Sequence, residues 1–253
     1  MNGVNRGILI FRSKEGLVDA ALRRWLNAAR DALKSRGFFS AALSGGNTPA
    51  PLYARLAVER DFPWHNTHIF QVDERFVPYD HDENNYHFIN TSLLRHVPIS
   101  PKNIHPILTF EPSPQASADR YEQDLTSFCK SFRMRVPRID LVILGIGEDG
   151  HTASLFPDTP ALSEKQRFAV AVTPADPSKK ERITLTLPVL NNAVHVLVMA
   201  LGKNKAGAVR EVVENDQSTL PASLVKPEKG SLTFLLDEDA GSLLSDKKRF
   251  ISR

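Results

Sequence analysis

One turn of the sequence carries the side chain with the clearest capacity for acid–base chemistry. Three glycines fall within the segment 145–150, directly after an apolar run, and His151 follows the third of them. An imidazole gains and loses a proton near neutral pH, so it can take a proton during a reaction and return it. Uncovered backbone amides at glycines can hold an anion. This glycine turn predicts an acid–base centre whose ring is oriented by Asp149 or Glu148; the alternative is a histidine that only caps a turn.

The glycine turn also has the Gly-x-Gly-x-x-Gly spacing of dinucleotide-binding proteins. Two features argue against that interpretation. A helix beginning at Thr152 would meet Pro157 almost at once, and proline interrupts helices. The next predicted strand runs into Thr173 without the acidic residue that binds a ribose. We therefore expect no dinucleotide at this turn.

A second segment, Ser44-Gly45-Gly46-Asn47-Thr48, is typical of a phosphate site and is called the glycine loop below. It follows a predicted strand and precedes a predicted helix. Two glycines expose backbone amides, and a helix N-terminus adds a positive dipole. The loop therefore predicts an anion cradle, although a plain strand-to-helix turn capped by Thr48 would have the same sequence.

Three charged residues, Asp73, Glu74 and Arg75, stand at the end of another apolar strand. Half-burying three charges is costly unless they have a purpose. Asp73 or Glu74 could accept hydrogen bonds from sugar hydroxyls, and Arg75 could contact an anion or polarise a carbonyl. The alternative is an ion pair that only fixes a loop.

Further cations at strand and loop junctions are candidates for binding a phosphate. Arg182 begins a predicted strand, and Lys203 and Lys205 follow another strand. An arginine makes bidentate phosphate contacts, whereas a lysine acts as a point charge. We expect Arg182 and Lys203 to bind phosphate, with the choice between Lys203 and Lys205 left open.

Other chemistries find little support. His65 and His68 lack a third metal ligand, and Asp80–Glu83 lacks the spacing of a calcium loop, so we expect no metal. The Gly-x-Ser-x-Gly elbow of serine hydrolases is absent. Cys129 is the only cysteine, which excludes an intrachain disulfide, and we expect it to pack as a small hydrophobe.

Composition limits the partners. The net charge is +3 and the basic residues are scattered, so we expect no nucleic acid. No apolar run approaches the roughly 18 residues of a membrane span, and the N-terminus does not resemble a signal peptide. We expect a cytoplasmic protein that does not bind membranes, as a monomer or small homo-oligomer, with a functionally silent basic segment at Lys247–Arg249.

The elements that must position these residues alternate along the chain. Predicted strands are 38–43, 67–72, 139–144, 168–172, 182–187, 194–201 and 231–236. One predicted helix has an apolar stripe from 22 to 33 and ends at Gly37. Others begin at Pro49 or span 84–96 and 203–214. The Pro-rich segments 97–114 and 173–180 read as surface loops. Alternation predicts an α/β fold with a mainly parallel sheet, formed by residues 1–253 as one domain, with the charged segments at carboxyl ends of strands.

Longer stretches around these segments resemble the 6-phosphogluconolactonase family along almost the full chain. They are 43–49, 73–78 with 84–86, 145–157, 182–188 and 220–223. The sequence Gly-His-Thr-Ala-Ser-Leu-Phe-Pro is the most specific of them. Asp158 and Asn84 stand where glycine and serine are common in that family, and neither change removes a proposed catalytic group.

The resemblance implies hydrolysis of 6-phosphogluconolactone in the oxidative pentose phosphate pathway, without cofactor or metal, on a modified Rossmann-like sheet. For this reaction we hypothesise that His151 activates water, that Asp149 holds the imidazole and that Arg75 stabilises the oxyanion. Glucosamine-6-phosphate deaminases share the fold, but their Asp-Gly-His motif continues toward Ile-Ala-Phe-Asn-Glu, and Asp73 is followed here by Glu-Arg rather than Glu-Tyr. A sugar-phosphate-sensing module is a second alternative, which would normally carry a DNA-binding segment and would not need His151.

Overall fold

A computed structural model describes residues 5–246 of the 253-residue chain, so Lys247–Arg249 lie outside the described residues. The strands are β1 (Asn5–Phe11), β2 (Phe39–Leu43), β3 (Thr67–Gln71), β4 (Asp73–Arg75), β5 (Ile104–His105), β6 (Leu141–Leu144), β7 (Ala169–Val172), β8 (Arg182–Leu185), β9 (His195–Ala200) and β10 (Ser231–Asp237). The α-helices are α1 (Lys14–Arg36), α2 (Ala50–Leu56), α3 (Asn85–Ser92), α4 (Pro114–Ser131), α5 (Leu187–Asn191) and α6 (Ala206–Glu214).

Seven strands form a parallel sheet in the order β1-β10-β9-β6-β2-β3-β5. The predicted mainly parallel α/β fold is therefore confirmed. The chain leaves β2 toward β3 on one side, and it leaves β6 toward β9 on the other. Ligands of such sheets bind where the strand order reverses, beyond the carboxyl ends of the strands. The glycine loop after β2 and the glycine turn after β6 lie at this point.

A small antiparallel sheet, in the order β4-β8-β7, stands beside the main one. The segment Asp73–Arg75, predicted only to follow the strand 67–72, itself forms strand β4. Val72 still bonds the main sheet through its amide (3.0 Å to Leu43 O), and the chain then bends to pair with β8. The backbone partners come from a segment more than a hundred residues away, so the local sequence does not reveal this pairing.

Two apolar layers cover the faces of the main sheet. Helices α1 and α2 pack on one face around Trp25, Tyr53 and Trp64, and helices α4 and α6 with the small sheet cover the other. The amphipathic stripe of α1 buries Leu22 and Trp25 but leaves Leu26 exposed. Gly37 ends α1 in the left-handed region (φ 78°), as predicted. Within residues 5–246, no helix is long and apolar enough to cross a membrane.

The chain forms a bridge between Thr152 and Leu155, and no helix follows the glycine turn there, in keeping with the argument from Pro157 against a dinucleotide-binding helix. Several other local predictions were wrong. Helix α2 begins after Pro49, and the Thr48 side chain does not cap it. The segment 97–114 contains β5, whose backbone pairs with β3. The predicted helices 84–96 and 203–214 are each divided into an α-helix and a 3₁₀ turn.

Candidate active site

A cavity of about 280 Å³ opens at the carboxyl ends of β2 and β6. Predicted site residues that line it are Ser44, Gly45, Gly46, Asn47, Thr48, Asp73, Arg75, His151 and Arg182. Residues that were not predicted also line it, among them Asn85, Phe156 and Lys179. Of the two alternative lysines, Lys205 lines the cavity and Lys203 does not. Lys205 is therefore the lysine that lies where it could contact a ligand in this cavity, and binding of phosphate by either lysine stays a prediction.

The glycine turn has little room for side chains. A Cβ atom added to Gly147 would overlap the His151 ring and the Asp149 carboxylate, so only glycine fits there. Gly150 has a φ of 77°, a conformation that glycine adopts without strain. The Gly147 amide donates to the His151 carbonyl at 2.8 Å. These constraints fold the turn around the side chain of His151.

Asp149 is the neighbour that holds the imidazole. His151 Nδ1 lies 2.5 Å from Asp149 Oδ1, and the His151 amide donates to the same oxygen at 3.1 Å. Burial alone would raise the pKa of Asp149, but the hydrogen bonds from His151 and the charges of His151 and Lys179 lower it overall. An ionised Asp149 accepts a hydrogen bond from the Nδ1–H group of the neutral imidazole, and Nε2 of that ring keeps its lone pair. Glu148 instead accepts a 2.7 Å hydrogen bond from Asn204 Nδ2.

The glycine loop presents free backbone donors to the cavity. Gly46 has a φ of 92°, which a side chain rarely allows. A Cβ atom at Gly45 would overlap the Asn85 side chain, so the loop approaches α3 closely. No hydrogen bond within residues 5–246 uses the amides of Gly45–Thr48. These amides remain available to an anion.

Arg75 and Arg182 are cross-strand neighbours on β4 and β8. Burial, and then the adjacent charge of Arg75, lower the pKa of Arg182. Arg75 Nη1 donates to the Glu83 carbonyl at 2.7 Å, and its buried Nε atom has no partner within residues 5–246. An anion bound between two adjacent guanidinium groups offsets their mutual repulsion. This corner of the cavity is suited to a phosphate or a carboxylate.

Asp73 is buried at the cavity wall and is held by two side chains. Ser154 Oγ donates to its carboxylate at 2.6 Å, and Asn85 Nδ2 lies 3.4 Å from the other oxygen. The neighbouring Glu74 is fully buried and faces away from the cavity, where it accepts from the amides of Asn85 and Tyr86 at 2.7 Å. Glu74 therefore connects β4 to helix α3 and has a structural role, whereas Asp73 lines the cavity.

The remaining candidates of the sequence lie elsewhere. His68 Nδ1 lies 3.0 Å from His105 Nε2, and His105 Nδ1 lies 2.9 Å from Asp124. Within the part of the chain that is described, no group of three or more His, Cys, Asp or Glu residues is arranged to hold a metal ion. Cys129 is buried, which raises the pKa of its thiol to about 11 and makes it a poor nucleophile.

Comparisons with known proteins identify the family to which this chain belongs. The family model described as "Glucosamine-6-phosphate isomerases/6-phosphogluconolactonase" matches residues 12–234. The chain belongs to this family. It is 38% identical to a 6-phosphogluconolactonase of Synechocystis, over 92% of this chain and 95% of that protein. It is 37% identical to a 6-phosphogluconolactonase of Rattus norvegicus, over 83% and 82% of the two chains.

Solved structures agree with the sequence relatives. A 6-phosphogluconolactonase from Thermotoga maritima has a TM-score of 0.80 at 30% identity, with 92% of this chain and 100% of that chain covered. One from Trypanosoma cruzi has a TM-score of 0.84 at 28% identity, with 96% and 98% covered. The modified Rossmann-like sheet implied by the family resemblance is thereby confirmed.

Proposed function

We propose that this protein hydrolyses 6-phospho-D-glucono-1,5-lactone to 6-phosphogluconate in the oxidative pentose phosphate pathway. The relatives named above support the reaction. The structural observation that carries the proposal is the His151–Asp149 contact, which leaves Nε2 of His151 as an acceptor at a cavity that also holds cations. We further propose that the protein works in the cytoplasm; some relatives are named as chloroplastic proteins.

The phosphate of the substrate binds the amides of the glycine loop together with Arg182 and Lys205. An array of N–H donors with a bidentate guanidinium suits a phosphate dianion. Asp73 accepts hydrogen bonds from sugar hydroxyls, because Ser154 and Asn85 hold its carboxylate at the cavity wall. These contacts fix the sugar with its lactone carbonyl toward His151.

His151 acts as a general base. Its Nε2 atom takes a proton from water, whose oxygen forms a bond to C1 while the carbonyl π electrons move to the carbonyl oxygen. The electrons return, the bond from C1 to the ring oxygen breaks, and the imidazolium gives its proton to that oxygen. Asp149 stabilises the imidazolium, and Arg75 with backbone amides stabilises the oxyanion. No step in this sequence needs a metal or an organic cofactor.

The rate enhancement expected from these groups is sufficient for a substrate that already reacts in water without an enzyme. A general base contributes roughly 10²–10⁴-fold to a rate, and an oxyanion donor contributes roughly 10²–10³-fold. A lactone that already hydrolyses slowly in water requires no covalent intermediate. The missing nucleophile elbow is consistent with direct attack by water.

The decisive experiment compares substrates. Fresh 6-phosphogluconolactone and glucosamine 6-phosphate are each incubated with the protein, and rates are measured above the spontaneous background. We expect turnover of the lactone only. Turnover of glucosamine 6-phosphate would instead indicate a deaminase, and binding without turnover of either would indicate a sensing module.

Two variants test the residue roles. His151→Ala is expected to lower kcat by roughly 10²-fold or more with little change in 6-phosphogluconate binding. Near wild-type turnover would remove His151 from the mechanism. Arg182→Ala is expected mainly to weaken the binding of phosphorylated ligands. Unchanged affinity for 6-phosphogluconate would contradict the phosphate assignment.

A further inference from the structure

Lys179 is a cation at the cavity for which neither the sequence patterns nor the mechanism above has a use. It lines the same cavity as His151, and its Nζ atom lies 3.8 Å from Asp149 Oδ2. The other oxygen of that carboxylate holds the imidazole. Lys179 Nζ also lies 5.0 Å from the centre of the Phe156 ring, which packs against His151 at 4.7 Å. The ammonium group is therefore anchored beside the acid–base pair.

The cations that line the cavity have different neighbours. Arg182 on β8 lies opposite Arg75 on β4 in the small sheet. Lys179 instead lies beside Asp149, the residue that holds the His151 ring. With Arg182 assigned to the phosphate, Lys179 can join Arg75 in stabilising negative charge at the reacting carbonyl.

We propose that Lys179 is a further catalytic residue, which contacts the C1 carbonyl oxygen of the lactone and then the carboxylate of the product. This inference rests on the function proposed above. Asp149 brings a negative charge to the site, and this charge would oppose the negative charge that develops on the carbonyl oxygen. Lys179 offsets that charge and supplies a donor to the oxygen, which lowers the barrier. No proton leaves Lys179 in this role.

The loop that carries Lys179 holds its shape without the lysine side chain. Asp176 Oδ1 accepts from the Ser178 amide at 2.9 Å and from the Ser178 hydroxyl at 2.7 Å. The Lys179 amide donates to the Asp176 carbonyl at 3.0 Å. A substitution at Lys179 should therefore remove the charge and leave the loop in place. The adjacent Lys180 is exposed and does not line the cavity, so it provides a matched control.

The test uses Lys179→Ala, Lys179→Arg and Lys180→Ala, with wild-type turnover of fresh lactone measured first. A wild-type protein without turnover would refute the proposed function itself. With an active wild type, we expect Lys179→Ala to lower kcat/KM by roughly 10–100-fold. Lys179→Arg should recover part of the loss, and Lys180→Ala should match the wild type. Equal activity of Lys179→Ala and Lys180→Ala would overturn the role of Lys179.

Binding measurements separate a carboxylate contact from a general effect of charge. Titration calorimetry compares 6-phosphogluconate with glucitol 6-phosphate, which has the phosphate but no carboxylate. Lys179→Ala should weaken binding of 6-phosphogluconate by roughly tenfold and leave glucitol 6-phosphate unchanged. Arg182→Ala should weaken both equally. If Lys179→Ala weakened both ligands equally, Lys179 would not contact C1 and the proposal would fail.

Discussion

Ser154 donates a 2.6 Å hydrogen bond to the carboxylate of Asp73, although 81 positions separate them in the sequence. Ser154 follows the glycine turn, and Asp73 begins β4. Both side chains are buried, and Asn85 contacts Asp73 from a third segment. The bond ties the acid–base turn to the wall that is expected to hold the sugar hydroxyls.

Removing the Ser154 hydroxyl should therefore weaken substrate binding. In Ser154→Ala, the buried carboxylate of Asp73 loses its shortest hydrogen bond, and we expect KM for the lactone to rise several-fold. The free energy of unfolding should fall by about 1–3 kcal/mol, the usual cost of an unsatisfied buried polar group. Steady-state kinetics and urea unfolding measure the two effects. Ser163→Ala, at an exposed site, is the control, and an unchanged KM in Ser154→Ala would contradict the prediction.

Gly147 should tolerate no side chain, because a Cβ atom there would overlap the His151 ring and the Asp149 carboxylate. We expect Gly147→Ala to displace the imidazole and to lower kcat by roughly 10²-fold, the contribution of a general base. Kinetics and the NMR signals of the His151 ring report the change. In Gly145→Ala the added methyl group meets no atom within 4 Å, so the ring signals should stay in place. Identical ring signals in both variants would refute this packing argument.

Lys205 and Lys203 offer a second matched pair. Lys205 lines the cavity, whereas Lys203 does not. We expect Lys205→Ala to raise KM for the phosphorylated lactone by roughly tenfold, the loss of one charge-assisted contact of about 1.5 kcal/mol. Lys203→Ala should leave KM unchanged. A larger effect at Lys203 would restore the original expectation from the sequence.

Glu74 should make stability depend on pH. Burial is the largest influence on Glu74 and raises its pKa from 4.5 to about 7, although four hydrogen bonds lower it. The folded protein thus keeps this proton to a higher pH than the unfolded chain does. The contribution of Glu74 to the free energy of unfolding is therefore fully present below about pH 4.5 and is lost as pH rises through about 7. The total loss is about 3 kcal/mol.

The corresponding experiment compares wild type with Glu74→Gln by urea unfolding at about pH 5 and about pH 8. Glutamine does not titrate, so this component should vanish from the pH dependence of the variant. The wild type should therefore lose stability relative to Glu74→Gln as pH rises. Parallel curves for the two proteins would show that Glu74 is ionised in the native state across this range.

The sequence predicted those features of the site that are formed by residues adjacent in the chain. The glycine turn with His151 and the glycine loop consist of neighbouring residues, so their composition alone reveals what their backbone can do. The α/β class also follows from the alternation of elements, and it is confirmed. The argument from Pro157 against a long helix after Thr152 is likewise local, and the chain forms a bridge from Thr152 to Leu155 at that place.

The choices that the sequence left open depend on positions far apart in the chain. Asp149 holds the imidazole, whereas Glu148 accepts a hydrogen bond from Asn204. Lys205 rather than Lys203 faces the cavity because of the 3₁₀ turn that follows β9. The sequence by itself determined which chemical groups are present and that the sheet brings them to one edge. Only the tertiary structure decided which of them meet, because side-chain direction depends on backbone pairing with distant strands, as at β4 and β8.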